Sequence, residues 1–230
     1  MAIHEFDCKG FGQIEPSQVW FNRAGMVEAQ CELDPTVFAS SFPITPAEAA
    51  TKIVAENGAF LVADKVKKIA TVPTKALSDA GWVAGINYST EKIYNQFTPG
   101  RRNFCMVAGE YLPRIGFVEP GMRICTNSVM WDDTAAFIAA SGVTITDAAD
   151  SKEFYDAVKA YLAAYNAGTQ TAPIYAVLLD ETDLGGLKNK GKLVIGGDTT
   201  KAICGIKAIV TEAYTNADTT LSFKLKFVNA

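Results

Sequence analysis

Near its C-terminus the chain reads "LSFKLKF". Leu221, Phe223, Leu225 and Phe227 alternate with Ser222, Lys224 and Lys226. A period of two describes a strand with one dry face and one wet face. The apolar run "KAICGIKAIVTEAY" precedes it across "TNAD", a loop of hairpin length. This pair is the clearest statement of fold in the sequence, and Leu225 and Phe227 are expected in the core.

Other strands follow the same logic. "AFLVADKVKKIATV" predicts strand, turn near Asp64-Lys65, strand. Trp82 to Tyr88 supplies another. "NFCMVAGE" and "LPRIGFV" lead to the Glu119-Pro120-Gly121 turn, and Met122 to Val129 returns, so the segment reads as a hairpin. Proline presets φ at such a turn and glycine accepts positive φ. Pro173 opens "PIYAVLLD", a continuous apolar run suited to a strand buried on both faces.

Two helices stand out. In "TPAEAATKIVAENG", Thr45 suits the N-cap, Pro46 the first helical position and Glu48 a capping box. Ala47, Ala50, Ile53 and Val54 would face inward, with Gly58 stopping the turn. The second lies near 151–166. Phe154, Val158, Tyr161, Leu162 and Tyr165 fall on one face, Asp150 or Ser151 can cap the start, and Gly168 follows the end. The fold class is therefore mainly β, with a sandwich or barrel-like core and one or two short helices, a β-rich α+β protein.

The chain of 230 residues is 49% apolar and 20% charged, enough apolar surface to offset the ordering entropy of one sizeable core. Residues 1–45 differ from the rest. Phe6, Phe11, Trp20, Phe21, Phe38 and Phe42 are interspersed with Gly and Pro, and no period persists. This reads as an extended N-terminal arm that packs either on its own domain or on a neighbour. Residues 46–230 read as a single β-rich domain. Net charge is −4, so neither a phosphate backbone nor an anionic membrane surface is an expected partner. No apolar run reaches the roughly 20 residues that cross a bilayer. The charged start "MAIHEFDCKG" is unlike a signal peptide, which places synthesis and assembly in a cytoplasm. Cys8, Cys31, Cys105, Cys125 and Cys204 are odd in number and widely spaced, which suits small core residues rather than a disulfide framework.

Candidate chemistry is sparse. His4 is the only histidine, and a terminal position suits a structural or solvent role better than a triad. Val194 to Lys201, "VIGGDTTK", lacks the G-K-[ST] end of a phosphate loop and reads as a turn followed by strand. Asp132, Asp133, Asp180, Glu181 and Asp183 lack calcium-loop spacing and read as solvated acidic turns. A hydrolase using these carboxylates would need them to face each other across a cleft. Lys65, Lys67, Lys68, Lys75, Arg101 and Arg102 form local basic spots that suit an acidic protein neighbour better than DNA. Asn87-Tyr88-Ser89 matches a glycosylation acceptor, but nothing points to secretion. No catalytic, cofactor-binding or metal-ligating residue is expected, and no cofactor.

"AENGAFLVADKVKKIATVP", "NYSTEKIYNQFTPGRRNFCMVAGEYLPRIGFVEPGMRICTNSV" and "PIYAVLLDE" resemble structural proteins of tailed-bacteriophage virions, in particular small β-rich decoration or cement proteins of the head. Those chains tend to read "ENG" then a strand, a "GEY-P" segment, a "PG" turn and "TTN", here Cys125-Thr126-Asn127. The similarity covers the middle third to half of the chain. It implies a non-enzymatic virion protein, assembled in the host cytoplasm, homo-oligomeric and bound to the major capsid protein or other virion subunits. The alternative within the same role is a tail-tube or connector subunit.

Overall fold

The computed structural model describes residues 2–15, 27–28, 30–89, 104–109, 112–147, 151–216 and 219–229. Its strands are β1 (Ile3–Glu5), β2 (Val27–Glu28), β3 (Glu32–Leu33), β4 (Phe60–Asp64), β5 (Ile69–Thr71), β6 (Ala84–Asn87), β7 (Ile115–Phe117), β8 (Arg123–Thr126), β9 (Val129–Asp132), β10 (Tyr175–Leu178), β11 (Leu193–Ile195), β12 (Lys207–Thr215) and β13 (Leu221–Val228). The helices are α1 (Pro46–Thr51), α2 (Lys75–Asp79), α3 (Ala136–Ser141) and α4 (Ser151–Asn166).

The strands form two mixed sheets. The larger has seven, in the order β1-β9-β11-β10-β12-β13-β8, and the smaller has six, in the order β2-β7-β6-β4-β5-β3. Each contains one parallel pair, β9 with β11 and β3 with β5, and is otherwise antiparallel. The protein is thus mainly β, as its alternating segments require.

One core joins the sheets. The larger sheet contributes Ile124, Trp131, Leu193, Ile195, Phe223, Leu225 and Phe227, and the smaller contributes Phe60, Val62, Ala84 and Ile86. The α4 residues Phe154, Val158, Tyr161 and Leu162 complete it, with Phe154 stacked on Trp131 at 4.5 Å between ring centroids. Tyr165 is exposed instead. Gly168 takes positive φ just past the helix. The Ser151 hydroxyl does not cap α4 but accepts from the Asp7 amide at 2.7 Å, and Asp150 lies outside the described residues. The opposite face of the larger sheet is dry too: Met130, Val177 and Val194 pack with Ile3, Leu179 and Leu184. Burial on both faces explains the unbroken apolar run of β10.

Two expectations are corrected. First, α1 is capped as predicted, Thr45 Oγ1 accepting from the Glu48 amide, but it ends at Thr51 and buries nothing. Ile53 and Val54 are buried from the extended chain beyond it. Helical propensity there yields to Ile53 pairing with Phe38, and Ala55 with Met106.

Second, the Glu119-Pro120-Gly121 turn is real, with the Met122 amide donating to Glu119 O at 3.1 Å and Gly121 at φ 93°. It does not make a hairpin. β7 lies in the smaller sheet between β2 and β6, whereas β8 pairs with β13 at the edge of the larger one. The return from Met122 to Val129 also divides, into β8 and the start of β9.

Of the two packings open to residues 1–45, the described stretches take the one on their own domain. β1 extends the larger sheet beside β9 and β3 extends the smaller beside β5. Phe6 and Phe38 are buried, and Phe42, though exposed, meets Phe11 at 5.4 Å. Trp20 and Phe21 lie outside the described residues.

Candidate functional site

Three segments far apart in sequence meet where the sheets join: Glu56-Asn57-Gly58 ahead of β4, Thr126-Asn127-Ser128 from the end of β8 toward β9, and Lys192 ahead of β11. The parallel register, Leu193 opposite Val129, brings Lys192 alongside Ser128. Lys192 Nζ lies 2.8 Å from Glu56 Oε2 and 3.8 Å from Glu5 Oε2, with its side chain 3% exposed. Glu5 Oε1 is 2.6 Å from Lys190 Nζ. Glu56 Oε2 also accepts from the Gly12 amide at 2.8 Å and from Ser128 Oγ at 3.3 Å.

A neutral network surrounds this ion pair. The Ser89 amide donates to Asn57 Oδ1 and Asn57 Nδ2 returns to Ser89 O. Asn87 Nδ2 donates to Glu56 O, and Ser89 Oγ to Asn87 Oδ1. Thr126 Oγ1 donates to Gln13 O, while the Gln13 amide donates to Asn127 Oδ1. Gly58 at φ 94° passes so close to Thr126 that a Cβ there would sit 2.5 Å from Oγ1. Only glycine meets both demands.

The electrostatics favour a clamp over chemistry. Burial pulls the Lys192 ammonium toward neutrality, but the carboxylates of Glu56 and Glu5 outweigh it and hold the pKa above the usual lysine value. Burial pushes the Glu5 carboxyl up, but Lys192 and Lys190 outweigh it and hold it below the usual value. Burial pushes the Cys8 thiol up to about 12, and Sγ donates to Asn127 O and Phe6 O. A lysine held protonated is no base, and a thiol held protonated is no nucleophile. What the arrangement does is tie the N-terminal segment and both sheets to one buried cation.

The residues singled out in the sequence are dispersed. His4 sits on β1, with Nε2 3.1 Å from Asp133 Oδ2 and its ring 4.7 Å from that of Trp131. It is a strand residue with partners, the structural one of the two roles its terminal position left open. Asp132 is buried, not solvated, and accepts from the Thr134 amide and hydroxyl. Burial raises the Asp133 carboxyl, but hydrogen bonds from His4 and the Ala2 amide hold it below the usual value.

Asp180 caps the 3-10 turn Glu181–Asp183 and accepts from the Lys75 amide at 2.7 Å, and Asp183 pairs with Lys201 at 2.6 Å. Asp132 and Asp180 are thus engaged by their own turns, and Asp133, Asp180 and Asp183 by residues remote in the chain. In "VIGGDTTK", β11 runs into a 3-10 turn, Thr199–Lys201, rather than directly into strand, because the Asp198 side chain accepts from the Thr200 amide.

Lys65, Lys67 and Lys68 are exposed on the β4–β5 turn, Lys75 pairs with Asp79 at 2.8 Å, and Arg101 and Arg102 lie outside the described residues. Asn87 is fully buried, so it is no glycan acceptor in the folded protein. All five cysteines are free, three of them buried. Among the described residues no group of three or more His, Cys, Asp or Glu side chains is placed to hold a metal ion.

Glu5, Glu56 and Lys192 had no signal of their own. Lys192 follows Lys188 and Lys190 at alternate positions, and long-range pairing buries it. Comparison of the chain with protein-family models, curated proteins and solved structures found no match.

Proposed function

We propose that the chain is a structural protein of a tailed-bacteriophage virion, a homo-oligomeric decoration subunit on the lattice of the major capsid protein. One observation carries this reading beyond the resemblance itself. The "ENG" and "CTN" segments on which the resemblance rests converge on the buried joint, through the Glu56–Ser128 hydrogen bond and the close pass of Gly58 over Thr126. Their polar groups are committed to holding two sheets together. A protein whose task is to present a fixed surface uses its polar interior in this way, and weak contacts of such a surface gain strength when repeated over a lattice.

Mass spectrometry of tailed-phage particles from the organism that encodes the chain tests the reading. The expected result is the chain in intact particles, in the head fraction, at a copy number commensurate with the capsid lattice. Its absence from particles overturns the virion role. Recovery in the tail fraction alone, with ring-shaped assemblies in negative stain, replaces the head assignment with a tail-tube one.

A further inference from the structure

We propose that the β4–β5 turn is a docking finger for an acidic protein surface with an apolar notch; that this partner is a virion subunit rests on the reading above. Val66, at the tip, is 93% exposed, whereas the other exposed large hydrophobics among the described residues lie between 36% and 59%. It is flanked by Lys65, Lys67 and Lys68, all exposed, in a chain of net charge −4. Asp64 Oδ2 lies 3.8 Å from Lys67 Nζ and offsets one of the three, and the local charge is still opposite in sign to that of the protein.

The finger is also preset. Asp64 Oδ1 accepts from the Val66 and Lys67 amides, both at 3.0 Å, and the register Asp64 opposite Ile69 closes the base. Its root is fixed, since Ala70 is fully buried in the core of the smaller sheet. Lys68 holds φ at 56°, a left-handed conformation that glycine or asparagine adopts at less cost. A non-glycine residue there exchanges backbone ease for a third positive charge, the kind of local expense that marks functional sites. A finger ordered before binding loses little entropy when it docks.

The combination selects the partner. Nucleic acid would require a broad basic face and would make no use of the valine. An anionic membrane would repel the rest of the chain. Carboxylates ringed around an apolar notch use the lysines for steering and the valine for burial.

Photo-crosslinking decides it. With benzoylphenylalanine in place of Val66, irradiation of cells producing the protein should attach it to a protein segment in which Asp and Glu outnumber Lys and Arg. The yield should fall about tenfold when Lys65→Glu, Lys67→Glu and Lys68→Glu are combined, and likewise when a lysate of those cells is irradiated in about 1 M salt, where the Debye length is ~3 Å. Should the triple reversal lower the melting temperature, the Lys→Gln set removes the same charges and should still weaken the cross-link severalfold.

An acidic partner from the virion supports both readings. An acidic partner outside the virion supports the finger and removes only the partner's assignment to a virion subunit; particle composition decides the virion role. Attachment to lipid, to nucleic acid or to a segment without net negative charge overturns the finger. So does no cross-link, or a yield indifferent to the lysines. If that happens while the chain is still found in purified particles, the virion reading stands without it.

Discussion

Two chain reversals in this molecule, one after β7 and one after β12, do opposite things. Between β12 and β13 the chain reverses and the strands pair along their length, from Thr215 opposite Leu221 to Lys207 opposite Val228. Asn216 closes the end, its amide donating to Thr220 O and its side chain to Thr220 and Ser222. At Glu119-Pro120-Gly121 the chain also reverses, yet it leaves one sheet and enters another. The difference is what lies beside the strands. β7 is three residues long and already has β6 and β2 as neighbours. β13 is eight residues long and has a free side after pairing with β12, so β8 aligns there. β13 even recruits the turn: the Gly121 amide donates to Phe227 O, and the Phe227 amide to Met122 O. A turn signal fixes that the chain reverses. The longer available edge decides where the next strand goes.

The sharpest way to break this comparison is to weaken β13. Phe227 is 2% exposed and meets Phe60 of the smaller sheet at 6.0 Å. Phe227→Ala should cost about 3–5 kcal/mol, the range for a large core aromatic. An unchanged melting temperature would show that β13 does not organise the shared core. Lys192→Met should come next, at about 3 kcal/mol or more, because Glu56 is left charged in the interior. Denaturant unfolding reads it, and a loss no larger than that of an exposed Lys→Met control would mean that the joint is solvated.

This contrast also sets what was legible. The alternation of Leu221 to Phe227, the α4 face and the cap at Thr45 are local patterns, and the structure keeps them. The joint was not legible. Lys192, Glu56 and Glu5 lie far apart in the chain, and each has the composition of a surface position. Their burial follows from the parallel β9–β11 pairing and from β1 joining β9, neither of which leaves a periodic trace. The strand that holds His4 was illegible for the same reason: three residues at the chain start have no period to read.

Gly121→Val tests the turn directly. A β-branched residue at φ 93° should cost about 1–2 kcal/mol. Because the turn bonds to β13 rather than joining a hairpin, hydrogen exchange should quicken at the Gly121 and Phe227 amides while the β6–β7 amides stay protected. Equal loss in β7 and β8 would restore the hairpin. The joint has its own acid signature. Glu5 has a folded pKa below its unfolded value near 4.5, so the native state binds fewer protons between the two values. Its stabilisation is fully present above about 4.5 and is lost as pH falls through the folded pKa. Melting curves of the wild type and Glu5→Gln should therefore converge on acidification. A gap that persists in acid would mean that its lysine partners do not act on Glu5 through charge.

The smallest expected effect concerns a third turn, where the neighbours agree with the local signal. β4 and β5 do pair across Lys65 to Lys68, with Val62 opposite Thr71 and Asp64 opposite Ile69. Here the Asp64 side chain, bonded to the Val66 and Lys67 amides, already fixes the reversal. Lys68 is left at φ 56°, where a side chain is unfavourable and glycine is not. Glycine also loses more freedom on folding, which offsets part of the gain. Lys68→Gly should thus stabilise the protein by about 0.5 kcal/mol, opposite in sign to Gly121→Val. A small rise in melting temperature with unchanged β4–β5 exchange protection is the expected result. A fall would show that the Lys68 side chain makes a contact worth more than the backbone strain it imposes, and the turn would then owe its shape to the lysine rather than to Asp64.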